Sequence, residues 1–272
     1  MVSPAARGRM RLAVNIGNTN TVFAIFSDMG LRTPWRVTTH PLRMPDEYAL
    51  LLDSLLTGGG MRTDDLDGMI VSSVVPAAEH SLVQAAATRW GLSPLVVSHN
   101  IELGIELRYS SPHLLGADRI TNAVAATIKI GCPSIIVDLG TATTVDAVSV
   151  DGAFVGGAIA PGLGIAAAAL FQQTAQLPRV PLETPPFYIG TDTVKCLQSG
   201  LLYGYAGLVD ALIDGFRREL KIDAPVVATG GLAGYVTPYT RRVQDMDPNL
   251  TLFGLQAIYQ RNQAANARPR AG

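Results

Sequence analysis

The stretch that decides the fold is Leu12–Phe26, LAVNIGNTNTVFAIF. It starts as an apolar run, breaks at Gly17-Asn18-Thr19-Asn20-Thr21, and resumes as Val22-Phe23-Ala24-Ile25-Phe26. Two strand-like runs around a short turn of glycine, asparagine and threonine predict a β-hairpin. Gly17 lets the backbone come close to a ligand, and Asn18, Thr19 and Thr21 add hydrogen-bonding groups without bulk. Such a turn suits an anion such as phosphate. The same residue types also make an ordinary hairpin turn, and the stretch alone does not separate the two.

A second stretch, Ser134–Val150, SIIVDLGTATTVDAVSV, tips the balance. In both, an apolar run leads to Asn or Asp, then an apolar residue, a glycine and a turn containing threonine. One supersecondary unit found twice, about 120 residues apart, predicts duplicated domains. The two hairpins are expected to hold the triphosphate tail of a nucleotide between them.

Working outward, residues 46–56 carry an acidic start and an apolar stripe, which predicts a helix. Strands are expected at 35–39, 69–75 and 94–97, and a helix at 78–90 with Gly91 just past its end. This is a mixed α/β layer. In the second half, Gly156–Gly162 reads as a tight glycine-rich turn before a helix at 165–173. A long helical segment spans 194–220, and its interior Gly200, Gly204 and Gly207 suggest close helix contact, in the core or across a dimer. Residues 225–233 read as a strand ending in Thr229-Gly230-Gly231, a turn able to approach an adenine or ribose or simply to lead into a helix. A last helix is expected at 250–260, with the ends of the chain frayed.

Within Leu115–Ala126, LGADRITNAVAA, the alanine-rich part predicts a helix whose first turn is Gly116–Arg119. Asp118 there serves either as a cap and dipole partner or as a general base beside an anion-binding helix end. Arg119 has the fork to bind a carboxylate.

Composition bounds the partners. Of 272 residues, 48% are hydrophobic and 16% charged, which argues for a large buried core. A formal net charge of −1 offers no global field for nucleic acid or an anionic membrane. No signal peptide or membrane span is read at the start, and a cytoplasmic location is expected. Cys132 and Cys196 lack CxxC spacing and read as buried thiols in a reducing compartment.

Taken together, NIGNTNTVF, SSVVPA, GADRITNAVAA, IIVDLGTATTVD, GGAIAPG, TAQLPRV, IGTDTVKCLQSGLLYGYAGLVD, VATGGLA and TLFGLQAIYQRN resemble the type III pantothenate kinases. That family belongs to the acetate and sugar kinase/Hsp70/actin superfamily. The resemblance runs in order from Leu12 to Asn262. It implies an α/β fold of duplicated ribonuclease H-like (actin-like) domains, with mixed central sheets flanked by helices. The domains would be 11–130 and 131–262, with flexible tails at 1–10 and 263–272. The implied activity is ATP-dependent phosphorylation of pantothenate, the first step of coenzyme A biosynthesis.

The resemblance also assigns residues. Gly17, Asn18, Thr19, Asn20, Thr21 and Val22 would bind the ATP phosphates together with Asn15, and Thr141 lies on the ATP side. Tyr109, Gly116, Ala117, Asp118 and Arg119 would line the pantothenate pocket, with Asp118 as proton acceptor. Asp138 would bind a monovalent cation, potassium or ammonium, and Mg²⁺ would accompany ATP. Thr193 would reach pantothenate from the neighbouring subunit of a homodimer.

One position departs from the family motif Asp-x-Gly-Asn-Thr: Asn15 stands where the aspartate belongs. An amide keeps the shape but loses the charge and gains an NH₂ donor, so weaker metal–ATP binding and slower transfer are expected. The alternative reading is a ligand-binding or regulatory protein on the same fold. Phe253 replaces a residue that is commonly polar in the family, and its side chain is expected to pack.

Overall fold

The structure, a computed structural model, describes residues 10–27, 30–32 and 34–266. The tails expected at 1–10 and 263–272 lie outside the described residues, apart from Met10, which opens the first strand, and 263–266, which close the last helix.

The first half runs β1 (Met10–Ile16), β2 (Asn20–Ser27), β3 (Gly30–Leu31), β4 (Trp35–Thr38), α1 (Pro45–Gly58), β5 (Leu66–Ser73), α2 (Pro76–Trp90) and β6 (Leu95–Val96). It is followed by α3 (Ala117–Lys129). Its sheet has the order β3-β2-β1-β5-β6, with β4 also paired to β2. β1 pairs antiparallel with β2 and parallel with β5. Leu12, Val14, Ile16, Met69 and Val71 point to one face and pack with Leu52 and Leu56 of α1 and Leu82 of α2. The helices start where the sequence allows. Pro45 and Pro76 take first-turn positions, where no backbone N–H is needed, and Gly91 ends α2 in the left-handed region at φ 62°.

The second half repeats this plan. It runs β7 (Ser134–Leu139), β8 (Ala142–Val148), β9 (Phe154–Pro161), α4 (Leu163–Gln172), α5 (Thr193–Leu220), β10 (Val226–Thr229), α6 (Ala233–Val236) and β11 (Asp245–Met246). The sheet order is β11-β10-β7-β8-β9. As in the first half, the leading strand lies between an antiparallel hairpin partner and a parallel strand. The glycine-rich stretch expected as a turn is instead β9, paired with β8 from Ala142↔Pro161 to Val148↔Phe154. Glycine lowers strand propensity, but the β8 register supplies the hydrogen bonds, and Gly156 takes φ 130° beside the register shift.

The contacts divide the chain into two compact units. One takes the residues up to Gly104, Ser111–Val124 and those from Thr251 onward; the other takes Ile105–Ser110 and Ala125–Leu250. The last helix, α7 (Leu250–Asn266), thus lies almost wholly in the first unit, whereas the division at 130/131 puts it in the second. The reason is packing. Tyr259 meets Phe26 edge to face at 5.5 Å, and Gly254 lies directly on Thr121 of α3. Residues 105–110 join the second unit because Arg108 N donates to Phe154 O (2.9 Å) and Phe154 N to Glu106 O (2.9 Å).

Among the described residues one helix, α5, is long and apolar enough to cross a membrane by length and composition. Leu201, Leu202, Tyr205, Ala206, Val209 and Ile213 bury one of its faces in the core of the second unit. Gly200, Gly204 and Gly207 do not serve that contact, since a β-carbon at any of them would meet nothing within 4 Å. Cys132 and Cys196, expected to be buried, are both exposed. Cys132 lies in the turn before β7 and Cys196 in the first turn of α5, so neither shares the apolar face of its element.

Candidate functional site

In the first unit the turn at Gly17–Thr19 joins β1 to β2. Gly17 N donates to Asn20 O (3.0 Å), which closes the turn. Asn18 and Thr19 are exposed at its tip, Gly17, Asn20 and Val22 are half-buried, and Thr21 is buried. A residue missed in the sequence braces this loop. Thr39, just past β4, donates from its hydroxyl to Gly17 O (2.7 Å) and from its N–H to Thr19 O (2.9 Å). Its hydroxyl also bonds that of Thr21 (2.9 Å). Nothing local marked Thr39, because β4 pairing with β2 is what brings it to the turn. Asn15 pairs with Val22 and Ser72 on its two sides.

The N-terminus of α3 belongs to the same unit. Val74 N donates to Ile16 O (3.0 Å), which ties the end of β5 to the end of β1. A β-carbon on Gly116 would lie 3.6 Å from Val74 Cγ1 and 2.6 Å from Asp118 Oδ1. Only glycine therefore lets the Asp118 carboxylate fold back over residue 116. Asp118 Oδ1 accepts the Arg119 N–H (2.8 Å). Burial raises the Asp118 carboxyl above the usual aspartate range, although the Arg119 N–H and the guanidinium charge pull the other way. A carboxylate with raised proton affinity at a helix N-terminus is a stronger base than a surface aspartate. Ala117 and Arg119 are buried.

In the second unit the turn at Gly140-Thr141 joins β7 to β8. Gly140 N donates to Ala142 O (3.0 Å), as Gly17 does in the first turn. Asp138, two residues before the glycine like Asn15, pairs with Thr144 and Thr229. Its carboxylate lies in a glycine cradle. A β-carbon on Gly140 would come 3.4 Å from Asp138 Oδ1, and one on Gly230 would run into Asp138 and lie 2.6 Å from Leu139 O. Gly230 also has φ 100°, which only glycine adopts freely. Gly162 lies directly on Thr141 O, so the start of α4 backs the turn. Tyr205 of α5 donates to Thr143 Oγ1 (2.8 Å) and lies against Pro161 O, joining β8 to β9.

The remaining site candidates also fall in the second unit. Tyr109, on the extended segment beside β9, meets Phe154 edge to face at 6.0 Å. Thr193 is exposed as the first residue of α5, where the Asp192 carboxylate caps the helix by accepting Lys195 N (2.8 Å). Asn15, the first turn, Gly116, Ala117, Asp118 and Arg119 are thus in one unit, and Tyr109, Asp138, Thr141 and Thr193 in the other.

Comparison with known proteins adds identity to this geometry. A family model described as type III pantothenate kinase matches residues 11–215. A type III pantothenate kinase of Rubrobacter xylanophilus is 47% identical over 265 residues, covering 95% of this chain and all of that one. One of Moorella thermoacetica is 44% identical over 253 residues, covering 93% and 100%. Among solved structures, component A of the Acidaminococcus fermentans (R)-2-hydroxyglutaryl-CoA dehydratase superposes with a TM-score of 0.56 at 14% identity, covering 94% of this chain and 99% of that one. The inorganic polyphosphate/ATP-glucomannokinase of an Arthrobacter species does so with a TM-score of 0.50 at 15% identity, covering 94% and 99%. These two likenesses establish the fold, an α/β arrangement of duplicated actin-like halves.

Proposed function

The chain belongs to the type III pantothenate kinase family, and on that premise we propose that it transfers the γ-phosphoryl group of ATP to the primary hydroxyl of pantothenate. The observation that carries this reading is Asp118: a half-buried carboxylate of raised proton affinity in the first turn of α3, in the same unit as the braced glycine turn. Phosphoryl transfer asks a protein for positioning, charge stabilisation and a group to take the hydroxyl proton. Asp118 takes that proton. Arg119, Tyr109, Gly116 and Ala117 are assigned to pantothenate, with the Arg119 guanidinium for its carboxylate. Asn15, the residues 17–22 and Thr141 are assigned to ATP, through backbone N–H groups and side-chain hydroxyls and amides.

Two ions accompany this chemistry. The Asp138 carboxylate, with Gly140 and Gly230 packed beside it, is assigned to a monovalent cation such as potassium or ammonium. Among the described residues no group of three or more His, Cys, Asp or Glu side chains is placed to hold a metal. We read Mg²⁺ as held chiefly by the nucleotide phosphates, as is usual for this ion. When bound, both ions neutralise phosphate charge.

We also read the protein as a cytoplasmic homodimer in which Thr193 serves the partner's pantothenate. Support comes from an apolar surface on the second unit. Gly200, Gly204 and Gly207 face open space along α5, α4 exposes Ile165, Leu170 and Phe171, and Phe187 and Ile189 are 73% and 84% exposed. Exposed apolar side chains in this number on one unit support an interface there.

The test is pantothenate-dependent ADP formation with Mg²⁺ and potassium present. Turnover that requires pantothenate is expected. A silent wild type beside an active Asn15→Asp variant would replace this reading with a ligand-binding protein on the same fold.

A further inference from the structure

Among the buried polar groups that the kinase reading leaves unused, one lies beside Asn15. Ser72 on β5 is fully buried, and its hydroxyl has no hydrogen-bond partner among the described residues. Buried hydroxyls are almost always paired, so an orphan asks for a reason. Its register partner on β1 is Asn15. One residue back on each strand, Val14 and Val71 point into the helix-packed core. Alternation along the strands therefore puts Asn15 and Ser72 side by side on the opposite face, on backbones about 4.8 Å apart. They stand at the strand ends that lead into the Gly17 turn and, through Val74, to Gly116 and Asp118.

The internal repeat supplies an independent observation. In the second unit the counterpart of Asn15 is Asp138, and its parallel neighbour is Thr229, which is also buried. In both halves, the polar residue two positions before the turn glycine has a buried hydroxyl beside it.

Chemistry explains why Asn15 needs such a neighbour. The two edges of a carboxylate are alike, whereas a carboxamide has an acceptor edge and a donor edge. Facing a polyphosphate, the donor edge attracts and the acceptor edge repels. The orientation of the Asn15 amide must therefore be set by something behind it. Ser72 is too deeply buried to touch a nucleotide itself, but it is placed to act through Asn15.

We propose that Ser72 is a positioning residue for the nucleotide: its hydroxyl donates to the Asn15 amide oxygen in the bound state and turns the Asn15 NH₂ toward a phosphate oxygen. This rests on the kinase reading above. It gives Asn15 a direct role as a phosphate donor, independent of a divalent metal.

A double-mutant cycle tests it, read as ADP affinity by calorimetry in EDTA and as ATP KM in turnover. Ser72→Ala is expected to weaken ADP about fivefold to tenfold, the scale of one lost neutral hydrogen bond. KM for ATP should rise by more than kcat falls, and Ser72→Thr, which copies Thr229 of the second unit, should restore wild-type affinity. In an Asn15→Ala background, Ser72→Ala should have no further effect. Should Ser72→Ala fail to fold, Ser72→Cys takes its place in the cycle. Unchanged ADP affinity in Ser72→Ala, or an equal loss in both backgrounds, overturns the proposal while the kinase reading stands. A wild-type chain that binds no ADP with or without Mg²⁺ and shows no pantothenate-dependent turnover overturns both.

Discussion

Asp118, the proposed proton acceptor, is set by opposing forces. The helix N-terminus and Arg119 favour its charge, but burial outweighs them and raises its proton affinity. A carboxyl raised above its unfolded value contributes stability below the unfolded value and loses it as pH rises through the folded value, so at neutral pH the ionised Asp118 weighs against the fold. Asp118→Asn is therefore expected to raise Tm by a few degrees while lowering turnover by about 10²- to 10⁴-fold. Calorimetry and the coupled assay read the two effects, and a variant with wild-type rate removes Asp118 from the proton-accepting role. In the wild type, the acid limb of the kcat/KM profile should lie above the ordinary aspartate range. Much of this was legible in GADR, because a glycine before an acidic helix start is a local signal. The burial that decides the direction of the shift was not, since it depends on what packs around the helix.

At the scale of elements, the first hairpin was readable and its support was not. Apolar runs around Gly17 predict two strands and a turn, and β1 and β2 form as expected. The turn is held from outside the hairpin by Thr39, which bonds Gly17, Thr19 and Thr21. Thr39→Val keeps the shape but leaves the Thr21 hydroxyl and the Gly17 carbonyl without this partner. A loss of about 1–3 kcal/mol of stability is expected, together with a higher KM for ATP. Denaturant unfolding and initial-rate kinetics check the two halves of this prediction. A change in stability with an unaltered KM would mean that the brace holds the fold and not the phosphate turn. The β9 strand carries the same lesson. Its glycines read as a turn in isolation, but the β8 register makes them a strand.

For the whole molecule, the interior glycines of α5 are the informative feature. They were legible as a packing device, with two destinations open. The structure excludes the core of the chain itself, because Gly200, Gly204 and Gly207 face open space. Gly204→Arg therefore has room in the isolated chain and should fold normally. In a dimer packed on α5 it would place a charge and a long side chain in the contact. On the proposed dimer, sedimentation is expected to report a monomer for this variant, with KM for pantothenate raised by loss of the proposed Thr193 contact. A variant that remains dimeric moves the interface elsewhere.

The sequence by itself determined the two glycine-turn hairpins, the GADR helix start, the duplicated α/β plan and the Asn15 departure. Each is written in neighbouring residues, as apolar periodicity broken by small polar groups. Only the tertiary structure decided that α7 packs with the first unit, that Gly230 and Gly140 cradle Asp138, that Cys132 and Cys196 are exposed, and that Ser72 is buried beside Asn15. Those facts join residues far apart in the chain, as Thr121 and Gly254 are. Strand register and packing bring such residues together, and no local pattern encodes either.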